Sequence, residues 1–106
     1  MVRRGEVWEW RSAGHGGPVA VLVVSSDVRN QVLSRILACP VVVHIELPLL
    51  PRTVQLGDGE PVHGSVLCDF IYDLDGNELI RCFGELSKPA IAAVDEQLIA
   101  VLDLPT

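Results

Sequence analysis

Ile91, Val94, Leu98 and Val101 recur at spacings of three, four and three, and no other stretch of the chain carries a clear helical period. Ser87 precedes this segment as a candidate N-cap. Pro89 falls in its first turn, where a missing N–H costs nothing. One amphipathic helix at the C-terminal end therefore has to pack on whatever the preceding residues build.

Those preceding residues read as short strands. Glu6-Val7-Trp8-Glu9-Trp10 alternates polar and apolar, as a half-buried strand does. Ser12 to Pro18 is a loop by composition, and Val19 to Ser25 is a β-branched run expected to be buried on both faces. Asp27 is expected to cap a short helical turn through Val28 to Leu33. A second apolar run, Ile36 to Ile45, is interrupted by Pro40, which predicts a bulge or an edge position there. Short strands follow at Arg52–Gln55, Ser65–Asp69 and Leu79–Leu86, with turns at Leu56–Pro61 and Asp75-Gly76-Asn77. Five or six strands and one helix make a mainly β (α+β) chain, a small barrel-like sheet carrying a C-terminal amphipathic helix. The 106 residues suit a single domain spanning 1–106, with a small core that association would enlarge.

Only five residues are aromatic, so Val, Leu, Ile and Ala must build the core. One of Trp8 and Trp10 is expected inside and the other at the surface or at a dimer face. Cys39, Cys68 and Cys82 sit in apolar surroundings without zinc-ligand spacing and read as reduced core thiols. No apolar run follows the first six residues, and none approaches the roughly 20 residues of a membrane helix. The chain is thus expected to be cytoplasmic, away from the membrane.

The formal charge of −6 argues against a general nucleic-acid binder, but the charge is unevenly spread. Residues 1–53 carry six Arg against four acids, whereas residues 54–106 carry Arg81 and Lys88 against ten acids. An anionic ligand should meet the first half.

Several blocks together resemble one family. Arg4-Gly5-Glu6-Val7-Trp8, Val21 to Asn30, Cys68-Asp69-Phe70-Ile71, and Gly84-Glu85-Leu86-Ser87 leading into Ala92 to Glu96 are similar, in order and spacing, to the MazF/PemK-type toxins of type II toxin–antitoxin pairs. The resemblance implies an SH3-like β-barrel, a homodimer, a cognate antitoxin as partner, and metal-independent cleavage of single-stranded mRNA without a cofactor. Such cleavage uses the substrate's 2′-OH as nucleophile. It needs a base near that hydroxyl, an acid near the 5′ leaving oxygen, and a fixed positive charge for the phosphorane.

The family usually supplies that charge with an Arg before the second strand, and often adds a Thr or Ser after the third strand's Pro-Leu. Here those positions are Gly17 or Val19, and Val42; a further family Arg falls at Leu67. The candidate catalytic residues are therefore His15 as acid or base, histidine being the side chain that ordinarily changes charge nearest neutrality, Arg11 for the phosphate charge, and Asp69 as base or turn cap. Arg3, Arg4, Arg29 and Trp10 are the candidate RNA-binding residues, Trp10 as a base-stacking aromatic. His44 and His63 read as bland. Two other readings stand beside the nuclease: a degenerate member that only binds an antitoxin, and a gyrase inhibitor like CcdB.

Overall fold

The computed structural model describes residues 1–11, 17–43 and 52–106. His15, His44, Pro48 and Pro51 lie outside them. Among the described residues seven strands and two α-helices follow one another as β1 (Glu6–Trp10), β2 (Val19–Val23), α1 (Asp27–Val32), β3 (Arg35–Val42), β4 (Thr53–Gln55), β5 (Ser65–Leu67), β6 (Tyr72–Asp75), β7 (Leu79–Glu85) and α2 (Lys88–Leu102), with a 3₁₀ turn at Gly76–Glu78. The sheet runs β4-β5-β3-β2-β1-β7, and β6 shares an edge of β3 with β5. All pairings are antiparallel. Among the described residues β4 and β7 do not pair with one another, so the expected barrel is an open one.

The period of two along each strand sorts side chains onto two faces. Val7, Leu22, Cys39, Val41 and Val66 point to one face and form the main core with Val94 and Leu98 of α2. Burying each such aliphatic side chain stabilises the fold by about 1.5–3 kcal/mol. Val21, Val23, Ile36, Ala38, Leu74 and Leu79 form a smaller cluster on the other face, against which Val2, Trp8 and Trp10 pack. Trp8 and Trp10 are two residues apart on one strand, so they share a face, and the expectation that they would separate is corrected. Both are half-buried.

Local signals at the C-terminal helix hold. The Ser87 hydroxyl accepts from the N–H of Ala90 at 3.2 Å, with proline in the first turn, and Asp103 closes the far end in the left-handed conformation. Glu60 accepts from both the N–H and the hydroxyl of Ser87, placing an anion at the positive end of the helix.

Four expectations change. Ser26, not Asp27, caps α1, and the Asp27 carboxylate instead accepts from the N–H of Arg4 at 2.6 Å. Val19 at the start of β2 is 43% exposed, so that run is not buried on both faces throughout. Cys82 is exposed while Cys39 and Cys68 are buried. Tyr72–Asp75 is a strand, hidden by two aspartates that strands disfavour. Pro40 pairs in register with Val21 on one side; on the other, β6 ends its pairing at Ala38 and β5 begins at Val41. The proline therefore falls in the gap between two ladders, where its missing N–H withdraws no bond.

Candidate nucleic-acid interface

At one end of the sheet the pairing lines up five residues from five strands. Trp10 pairs with Val19, Val42 with Ser65, and Ser65 with Gln55. Ala20 pairs with Val41, so Val19 and Val42 occupy the next step of the same register. Their strand neighbours Ala20, Val41, Val66 and Val54 pack into the main core, which turns Val19, Val42, Ser65 and Gln55 to the opposite face. Trp10 lies on that face too. The result is a row about 19 Å long, four strand spacings, with an aromatic at one end, two valines in the middle, and a hydroxyl and an amide at the other. Gly64 abuts the row with φ +125°; a Cβ there would sit 2.4 Å from the carbonyl oxygen of Val42.

The aromatic end is doubled. The rings of Trp10 and Tyr72 stack with centroids 6.4 Å apart and planes inclined by 21°. Trp10 Nε1 donates to Glu78 Oε1 at 3.2 Å, and the backbone carbonyl of Glu78 accepts from the N–H of Arg11 at 3.0 Å. Glu78 thus anchors both the ring and the residue after it.

The candidate residues separate into groups. Arg11 shares the Trp10 end of β1, but its guanidinium reaches back to Glu9 at 3.9 Å, on the face opposite Trp10. Arg81, which pairs with Glu9, lies over the Phe83 ring at 4.6 Å on that same opposite face. Arg3, Arg4 and Arg29 belong to the other end of the sheet, seven residues and about 23 Å of extended chain from Arg11 to Arg4. There Arg4 Nε donates to the Val24 carbonyl at 3.0 Å, and its guanidinium also bonds the Asp95 carboxylate on α2. Arg29 donates to the Arg35 carbonyl, and Arg3 to Glu6 through its backbone. Asp69 is exposed in the turn joining β5 to β6, beside the Pro40 gap. His15 lies outside the described residues.

Tyr72, Ser65, Gln55 and Glu78 were not among the candidates. The Tyr72/Leu74 alternation was the one available signal. The three-residue strands holding Ser65 and Gln55 are too short to carry a period.

Burial, aided by the neighbouring Cys68, pushes the Cys39 thiol up to about 12, and burial with the Asp69 charge pushes Cys68 up to about 11. Both stay protonated near neutrality and serve packing rather than nucleophilic chemistry. Among the described residues no group of three or more His, Cys, Asp or Glu is placed to hold a metal ion, and no helix is long and apolar enough to cross a membrane. An apolar cleft of about 380 Å³ lies away from the row, walled by Leu37, Ile71, Leu98 and Leu102 with Arg4 and Asp95.

Residues 3–102 match the family described as PemK-like, MazF-like toxin of type II toxin–antitoxin system. Among solved structures, an endoribonuclease in complex with its cognate antitoxin from a Mycobacterial species is 26% identical. It superposes with a TM-score of 0.89 over 100% of this chain and 99% of that one. MazF in a MazE–MazF crystal structure from Deinococcus radiodurans is 25% identical, with a TM-score of 0.84 over 99% and 98% of the two chains. MazF of the same organism without MazE is 27% identical, with a TM-score of 0.78 over 98% of each chain. No curated protein sequence matches the chain.

Proposed function

The chain belongs to the PemK-like, MazF-like toxin family of type II toxin–antitoxin systems, and from that premise we propose that it is a cytoplasmic, homodimeric endoribonuclease toxin that cuts single-stranded mRNA and is neutralised by a cognate antitoxin. The observation that carries this is the end-to-end superposition on an endoribonuclease bound to its antitoxin, with 100% of the chain covered.

The reaction is metal-independent. A base removes the proton of the substrate's 2′-OH, and the oxygen attacks the adjacent phosphorus. The P–O5′ bond breaks as an acid protonates the leaving 5′ oxygen, leaving a 2′,3′-cyclic phosphate. Arg11 supplies the positive charge for the phosphorane: its side chain is 61% exposed, and among the described residues its guanidinium makes one ion pair, a long 3.9 Å contact to Glu9 that a ligand phosphate can displace. His15 serves as acid or base. Asp69, exposed in the turn between β5 and β6, is the remaining base.

Incubation with a long mixed-sequence RNA in EDTA, followed by end mapping, tests this. The expected result is discrete cuts ending in cyclic phosphate, lost in His15→Ala and Arg11→Ala. Val19 and Val42 favour a second reading, a toxin-family protein that binds the antitoxin without cutting RNA. An intact RNA and no growth arrest on expression would establish that reading instead.

A further inference from the structure

We propose that the cross-strand row is a single-stranded RNA subsite, in which the Trp10–Tyr72 ring pair stacks one unpaired base and Ser65 with Gln55 hydrogen-bonds the edge of a base about two to three nucleotides further along the strand, the distance that three to four strand spacings span. It rests on the RNA reading above and names where and how the strand lies. Tyr72 is 43% exposed on a face that α2 does not cover, so a planar apolar surface is offered to solvent. Its partner ring is fixed in advance: Glu78 holds the indole N–H of Trp10 and, through its carbonyl, the N–H of Arg11. Stacking on a prepared ring needs no base identity, because every base has a π-face.

The opposite end differs in chemistry. Ser65 and Gln55 are directly paired neighbours, and together they present a hydroxyl and a primary amide, which donate and accept at once. Such groups read base edges of single strands. Two acids beside the rings are already engaged: Asp73, next to Tyr72, is paired with Arg35 at 3.0 Å, and Glu78 is bonded to Trp10. A strand crossing Val19 and Val42 meets no carboxylate in the row.

The test uses the full chain and a 2′-deoxy-substituted, uncleavable oligonucleotide bearing the cut sequence mapped above. In the Trp8→Phe variant, indole fluorescence reports Trp10 alone. Saturable quenching is expected, with Tyr72→Ala weakening affinity about five- to hundred-fold and Tyr72→Phe retaining it. Gln55→Ala should raise KM, leave kcat within about twofold and relax base preference at one position of the cut site. Wild-type affinity in both Tyr72→Ala and Gln55→Ala, or no quenching by an oligonucleotide that binds, overturns the subsite while RNA cleavage by the parent protein stands. A shift of Tyr72→Ala to a different assembly state in sedimentation, at unchanged affinity, also overturns it and assigns the face to a second copy. A parent protein that neither cleaves nor binds RNA removes both the subsite and the nuclease reading.

Discussion

Val42 on β3 is paired in register with Ser65 on β5, so an apolar side chain and a hydroxyl stand next to each other on the sheet face opposite the main core. By the resemblance of the sequence to the family, Val42 falls where a hydroxyl is expected. In this chain a hydroxyl, that of Ser65, stands one strand over.

Placing a hydroxyl at Val42 itself should speed cleavage. A hydrogen bond to a charged group is worth about 1.5–3 kcal/mol, and each 1.4 kcal/mol is roughly tenfold in rate. Val42→Thr is expected to raise the single-turnover rate about tenfold or more at unchanged thermal stability. A rate at or below the parent's would show that this end of the row is not where the phosphate reacts.

Arg4 and Asp95 should matter to the fold more than to the chemistry. The pair joins the start of β1 to α2, yet its side chains are 33% and 42% exposed, which limits its coupling to about 0.2–1 kcal/mol. A double-mutant cycle in urea with Arg4→Ala and Asp95→Ala should return a coupling of that size, with RNA cleavage by Asp95→Ala near the parent's. Cleavage lost in Arg4→Lys without a change in stability would place Arg4 at the RNA after all.

Alkali should weaken the fold through its buried thiols. Cys39 and Cys68 are raised to about 12 and 11 from an ordinary 9.0, so above pH 9 the unfolded chain releases these protons first and binds fewer than the native state. Their contribution to stability is therefore complete below pH 9 and falls away as pH climbs toward 11–12. Urea midpoints measured from pH 8 to pH 11 should decline. The decline should be shallower in Cys39→Ala, although that variant starts lower.

Gly64 should tolerate no side chain. Its φ of +125° and the 2.4 Å approach of the Val42 carbonyl oxygen to an added Cβ leave no room for one. Gly64→Ala is expected to cost about 1–3 kcal/mol, or roughly 4–8 °C in Tm per kcal/mol for a chain of this size. Calorimetry checks it, and an unchanged Tm would contradict the close packing of the 56–64 loop on β3.

The features legible in the residues alone were those made within a few residues of themselves. Ser87 and Pro89 start α2, Ile91 to Val101 mark its buried stripe, and Glu6 to Trp10 alternate as a strand must; each needs only local geometry, 3.6 residues per turn or two per pleat. The blocks around Arg4, Val21, Cys68 and Gly84 carried the family and its fold in the same way. What the tertiary structure decided are relations across strands. Residues 10, 19, 42, 65 and 55 become neighbours only when register is set. Trp10 meets Tyr72 only across the curved face, and Arg4 finds Asp95, 91 residues on, only once α2 has docked. Arg3, Arg4 and Arg29, expected with Trp10 and Arg11, fall at the other end because β1 separates them. Strand pairing is non-local: short strands such as β4 and β5 bury little by themselves, and their partners are chosen by the whole sheet rather than by the sequence beside them.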